Sequence, residues 1–220
     1  MKINKYYIIS IILLIVQLGV VLWIGSQLPA DAKIPIHWNY RNQIDNYADK
    51  TQGMFLLWGF NAGLFLLMVF LRRYSPVYQQ EREKNNNAIP LLTMGLVFFL
   101  GLIQIYSLLL ALHPDSMGKF HALYILIGLL FMFLGNIMPK LSRNYFAGIK
   151  TPWTYYSDEI WRKTSRLGGF CFFITGFVFA LAGIFNLKET SMSLILIIMV
   201  GTTVVLPIFY SFLLYLKAKK

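Results

Sequence analysis

The chain has 220 residues, a net charge of +11, and a composition that is 57% hydrophobic and only 13% charged. A soluble domain carries roughly 25% charged residues. That imbalance excludes an ordinary water-soluble enzyme. The spread of the basic residues among segments flanking apolar runs excludes a direct nucleic-acid binder.

Every Lys, Arg, Asp and Glu falls outside six apolar stretches: Tyr6 to Leu28, Met54 to Leu71, Ile89 to Leu112, Phe120 to Met138, Leu167 to Leu187 and Met192 to Leu216. A membrane-crossing helix needs about 20 apolar residues, within a range of roughly 17–25. One charge at a helix centre would cost about 2.5–3.5 kcal/mol on insertion scales. The predicted fold is therefore an all-α polytopic membrane protein with six transmembrane helices. Continuous apolar runs, without period-two alternation, exclude a barrel. Ala30-Asp31-Ala32 offers a crude cleavage pattern after the first stretch, but that stretch is longer than a signal-peptide core of about 7–15 residues and is read as retained.

Fifteen of the 20 Lys and Arg lie on the side that holds both termini and the loops Arg72–Asn87 and Pro139–Arg166; five lie on the other. By the positive-inside rule this predicts an N-in/C-in topology in the bacterial cell membrane.

In chain order, the first outer loop, Pro29–Gly53, is long enough to hold structure and contains Ile34-Pro35-Ile36-His37-Trp38-Asn39. His37 changes charge near neutral pH and is read either as an outward sensor or as a histidine satisfied within its turn. Span two carries a Gly59/Gly63 pair, span four Gly128 and Gly135, and span five Gly169, Gly176 and Gly183. Such small residues predict close helix packing in lipid. The loop Arg72–Asn87 ends in Asn85-Asn86-Asn87 and reads as a solvated connector. Pro90 falls in the first turn of span three, where a missing N–H is harmless. The outer loops near His113–Lys119 and Lys188–Ser191 read as short hairpins. Ser157 is a predicted N-cap, with Asp158 and Glu159 in the first turn of a short helix lying on the membrane interface before span five.

Chemistry is sparse. There is no buried carboxylate, paired histidine, phosphate-binding glycine loop or nucleophile elbow. Cys171 is alone, so no disulfide or cysteine-metal cluster forms within the chain. Asp158, Glu159 and Lys150 are the only candidates for an inner-loop active site, and the two acids are spaced as dipole-matching surface charges. No enzyme, metal or cofactor is predicted. Gln17, Asn61, Gln104, His121 and Asn136 read as interhelical hydrogen-bonding residues, with Asn136 either a hinge or part of the adjacent site. Were they instead to line a path, the chain would be a small-solute transporter or permeability factor.

Two segments resemble the SdpI family of bacterial membrane immunity proteins. Ile34–Asn39 followed by Asp45-Asn46-Tyr47-Ala48-Asp49-Lys50 resembles the DUF1648-like domain of unknown function that often begins such proteins. Asn144-Tyr145-Phe146-Ala147-Gly148-Ile149-Lys150-Thr151-Pro152-Trp153-Thr154, with the trailing Ser157-Asp158-Glu159-Ile160-Trp161, is similar to the family signature. Lys150 stands where the family usually has Arg, and Ser165 where many members have His. The resemblance implies two units, residues 1–88 and 89–220, the second holding the signature loop 139–166. It implies protection against a secreted membrane-active peptide toxin and docking of a cytoplasmic winged-helix repressor. The implied toxin-sensing residues are Pro35, His37, Trp38, Asn39 and Asp45. The implied docking residues are Asn136, Asn144, Phe146, Gly148, Ile149, Lys150, Thr151, Pro152, Trp153, Thr154, Trp161 and Arg166. The oligomeric state is left open.

Overall fold

A computed structural model describes residues 4–39, 41, 43–74, 85–114, 121–187 and 189–219. The predicted positions Lys119, Phe120 and Lys188 lie outside the described residues, as do residues 75–84 of the predicted connector. Six helical spans are long and apolar enough to cross a membrane. They are α1 (Lys5–Gln27), α2 (Lys50–Tyr74), α3 (Ala88–Leu112), α4 (Ala122–Ile137) with a following 3₁₀ turn (Met138–Lys140), α5 (Asp158–Ile184), and a last span of two helices, α6 (Glu189–Val200) and α7 (Leu206–Ala218). A π-helical turn, Gly201–Val205, joins α6 to α7. Asn4 caps α1 by accepting from Tyr6 N, and Pro90 sits in the first turn of α3.

The spans are all-α as predicted, and the segment between α1 and α2 adds a two-stranded antiparallel hairpin, β1 (Lys33–Trp38) and β2 (Ile44–Asp49). β1 alternates Ile34, Ile36 and Trp38 with Lys33, Pro35 and His37, whereas β2 shows no such alternation. The pairing carries two register shifts between Pro35 and Trp38. Asn39 closes the turn: its Oδ1 accepts from Arg41 N and Gln43 N, and its own N donates to Gln43 O at 2.9 Å. Ile34 is fully buried over Gly53, where an added Cβ would lie 2.6 Å from the Ile34 Cβ.

Of the five polar span residues predicted to bond between helices, Gln17, Asn61 and Gln104 do so across α1, α2 and α3, whereas His121 Nδ1 is buried without a hydrogen-bond partner and Asn136 is exposed. Asn61 Nδ2 donates to Gln17 Oε1 at 2.9 Å and to Val97 O at 3.0 Å, Gln17 Nε2 donates to Gln104 Oε1, and Gln104 Nε2 donates to Met54 O at 2.7 Å. Bonds of this kind contribute about 0.6–2 kcal/mol each in lipid.

The glycine prediction divides. Gly128 and Gly135 of α4 face Gly176 and Gly169 of α5 so closely that an added Cβ at any of the four would come within 2.6 Å of opposing backbone. Around Gly59 and Gly63, by contrast, an added Cβ meets nothing, so that GxxxG pair does not seat a helix. Gly59 and Gly63 lie away from the face of α2 that carries Asn61 and Phe65 toward α1 and α3, so spacing alone misplaced them.

Two further expectations are corrected. No separate interfacial helix precedes span five: α5 runs unbroken from Asp158 through 27 residues. Nothing between Arg166 and Leu167 breaks a helix, so the polar-to-apolar change marks where the surroundings change along one rod. Residues 75–84 of the predicted solvated connector lie outside the described residues; at its end Asn86 and Asn87 are exposed, but Asn85 is fully buried, and all three asparagines bond to other segments.

Candidate functional site

The two singled-out segments lie at opposite ends of the bundle. At one end, the chain from Leu141 to Ser157 forms an ordered loop without regular helix or strand. Asn144 organises its start: the buried carboxamide accepts from Phe146 N and Ala147 N at 2.8 Å each and donates to Ser142 O at 2.7 Å. Gly148 follows at φ +118°, a conformation L side chains rarely adopt, with the Trp161 ring 3.1 Å from where a Cβ would sit. Ile149 fills the notch left by Gly168 on α5.

Thr151 and Thr154 then bond reciprocally. Thr151 N donates to Thr154 Oγ1 at 2.9 Å, and Thr154 N donates to Thr151 Oγ1 at 3.1 Å. Thr151 Oγ1 also lies 3.2 Å from Ser211 Oγ on α7. Trp153 packs on Phe212 and Tyr156 edge-on against Tyr215, at centroid distances of 4.9 and 5.1 Å. The loop is thereby fastened to the last span. Trp161, 2% exposed, donates its indole N–H to Leu141 O at 2.7 Å and packs against Tyr155, whose hydroxyl donates to Asn144 O. Burial pushes the Tyr155 phenol above its ordinary range, and the neighbouring Tyr145 adds to the effect.

The predicted docking residues therefore separate by environment. Asn144, Thr151, Thr154 and Trp161 are buried, and Phe146, Gly148, Ile149 and Trp153 are half-buried; these build the loop. Lys150, Pro152 and Arg166 are exposed, together with Tyr145 and Tyr156, which sequence reasoning did not select. Asn136 is exposed one position before the end of α4 and is not gathered into the loop. Asp158 and Glu159 are engaged in ion pairs with Arg143 and Lys163, at 2.5 and 2.6 Å. Lys150 Nζ donates to Tyr145 O at 3.2 Å. Ser157 caps α5 as predicted, accepting from Ile160 N.

At the other end, the hairpin rests on α3. Ser107 Oγ donates to Pro35 O, and Trp38 stacks on Tyr106 at 6.2 Å with an interplanar angle of 26°. On the exposed side His37 Nδ1 lies 2.5 Å from Asp45 Oδ1, and Lys33 pairs with Asp49. The five predicted hairpin residues thus divide into a buried Pro35, a half-buried Trp38 and Asn39, and an exposed His37–Asp45 pair. Among the described residues no cluster of His, Cys, Asp and Glu could hold a metal ion.

Residues 12–61 match a domain of unknown function (DUF1648), and residues 140–211 match the SdpI/YfhL protein family. The chain is also similar to the immunity protein SdpI of Bacillus subtilis (strain 168), with 25% identity over 205 residues, or 91% of this chain and 92% of that protein. No solved structure matches the chain. The SdpI segment begins at the 3₁₀ turn and ends at Ser211, so it contains the loop together with the hydroxyl that receives it. The DUF1648 segment contains the hairpin, Gln17 and Asn61. With its six apolar spans and these relatives, the chain is a multi-pass bacterial membrane protein.

Proposed function

We propose that this chain is a membrane immunity and sensing protein. Its hairpin end faces outward and meets a membrane-active peptide toxin, and its signature loop faces the cytoplasm and docks a winged-helix repressor. One observation carries the reading. Among the described residues, the two segments that carry the resemblance are the two places where non-helical chain is built into ordered structure, at opposite ends of one bundle. The lopsided Lys/Arg distribution supports the orientation, and the similarity to an immunity protein supports the role. We further propose the division into residues 1–88 and 89–220, a toxin-facing and a loop-bearing unit. No catalytic step is proposed, since both inner-loop acids are engaged in ion pairs.

A solute path is not favoured. Of the five polar residues it would need, Gln17, Asn61 and Gln104 bond to one another and to backbone.

The test is survival of a toxin-sensitive strain carrying the chain, paired with membrane recruitment of a tagged repressor. Replacing Thr151, Pro152 and Trp153 together would be uninformative, because two of them hold the loop to α7. Lys150→Ala and Arg166→Ala combined remove two exposed side chains and leave the Thr151, Trp153 and Tyr156 contacts to α7 in place. The expected result is wild-type abundance with recruitment lost. His37→Ala with Asp45→Ala is expected to remove protection. Wild-type behaviour of both variants in both assays would overturn the reading.

A further inference from the structure

The three asparagines before α3 gather four segments at the loop end. Asn4 Nδ2, at the start of α1, donates to Asn86 O at 3.0 Å and to Asn87 Oδ1 at 3.1 Å. Arg72, near the end of α2, donates to Asn86 Oδ1 at 3.1 Å. Asn85 Oδ1, on a side chain with no exposed surface, accepts from Ser142 N of the signature loop at 3.1 Å. At the far end of the same helix, Ser107 is equally buried, and its hydroxyl donates to Pro35 O of the hairpin, beside the Tyr106–Trp38 stack. Asn85 lies three residues before Ala88, and from Ala88 to Ser107 the helix runs unbroken, about 30 Å at 1.5 Å per residue. Along that length it takes the Asn61 bond on Val97 O and gives the Gln104 bond to Met54 O.

We infer that α3 couples the hairpin to the signature loop, with Ser107 and Asn85 as the positioning residues at its two ends. The purpose of the coupling rests on the sensing reading; the coupling itself belongs to the folded chain and is measurable without a ligand. Ser107 and Asn85 are themselves fully buried, although the Asn85–Ser142 bond is only partly so, and breaking either bond strands a buried polar group away from water. A helix cannot absorb a shift at one end by bending sharply unless something interrupts its ladder. A displacement of Pro35 is therefore carried to Ser142 with the rod. Coupling between two sites is reciprocal, and this gives the idea its test.

Hydrogen exchange by mass spectrometry on the full chain in nanodiscs would compare wild type with Ser107→Ala, Asn85→Ala and two controls. Ser107→Thr keeps the hydroxyl, and Ser26→Ala removes a hydroxyl that bonds only within α1. Ser107→Ala is expected to speed exchange about fivefold, both in residues 33–49 and in residues 142–156 at the far end. Asn85→Ala is expected to do the same in the reverse direction. Ser107→Thr should restore wild-type rates, Ser26→Ala should be silent, and the glycine seam of α5 should stay protected. Should Ser107→Ala not fold, Tyr106→Leu removes the stack on Trp38 and carries the same expectation. Effects confined to the mutated end, or faster exchange that includes the α5 seam, would overturn the coupling. Loss of toxin protection with coupled exchange intact would instead count against the functional reading alone.

Discussion

Gly148 holds a positive φ directly against the Trp161 ring, so two separate demands converge on one hydrogen atom. Gly148→Ala is expected to destabilise the protein by about 1–3 kcal/mol, measured as a lower Tm in detergent; an unchanged Tm would mean the loop is not seated on Trp161. Tyr155 gives a pH dependence with a definite sign. Its folded-state pKa is raised by burial, chiefly, and by Tyr145, so the folded state holds the proton more tightly than the unfolded chain does. The stabilisation is fully present below about pH 10 and is lost as pH rises through the raised value. Tyr155→Phe should flatten the fall of Tm above that pH; an equal slope in both proteins would contradict the assignment. The signature loop was legible as a motif because Gly, Pro and Trp punctuate it. What each residue does was not legible, since burial depends on Ser211, Phe212 and Tyr215, some sixty residues away in the chain. Asn85 was misread for the same reason: its partner, Ser142, is 57 residues on.

The α4–α5 pair shows what small residues do when they face each other. Gly128 lies against the Gly176 carbonyl and the Ala180 backbone nitrogen, so Gly128→Ala forces the helices apart. Overpacking of this kind costs about 1–3 kcal/mol, and the expected readout is a lowered Tm, with Gly59→Ala close to neutral because nothing surrounds it. Equal effects at the two positions would contradict the assigned seam. The helical spans were legible to within a few residues at most ends because charge-free length is a direct physical requirement of lipid. Helix faces were less so. A seven-residue glycine spacing identified the right seam, and a four-residue spacing named a wrong one. The unbroken start of α5 hides a continuous helix behind a change in polarity, and the hairpin is masked by Pro35 in a first strand that does alternate and by Asp and Asn in a second that does not.

Across the whole molecule, large apolar side chains face outward along the spans: Ile15, Phe60, Leu66, Phe170 and Ile197 are each more than 60% exposed. In water such a surface would aggregate; a bilayer covers it. What water can reach is concentrated at the two ends, where the hairpin presents the His37–Asp45 pair and the loop presents Tyr145, Lys150 and Tyr156. The proposal that these ends serve a toxin and a cytoplasmic partner requires them to lie on opposite sides of the membrane, in one stated sense. That sense follows from fifteen basic residues set against five. Single cysteines at Gln43 and Lys150, in a Cys171→Ala background, would be challenged with an impermeant maleimide on intact cells. The account predicts labelling at position 43 from outside and at position 150 only after the cells are opened; labelling at 150 in intact cells would contradict it.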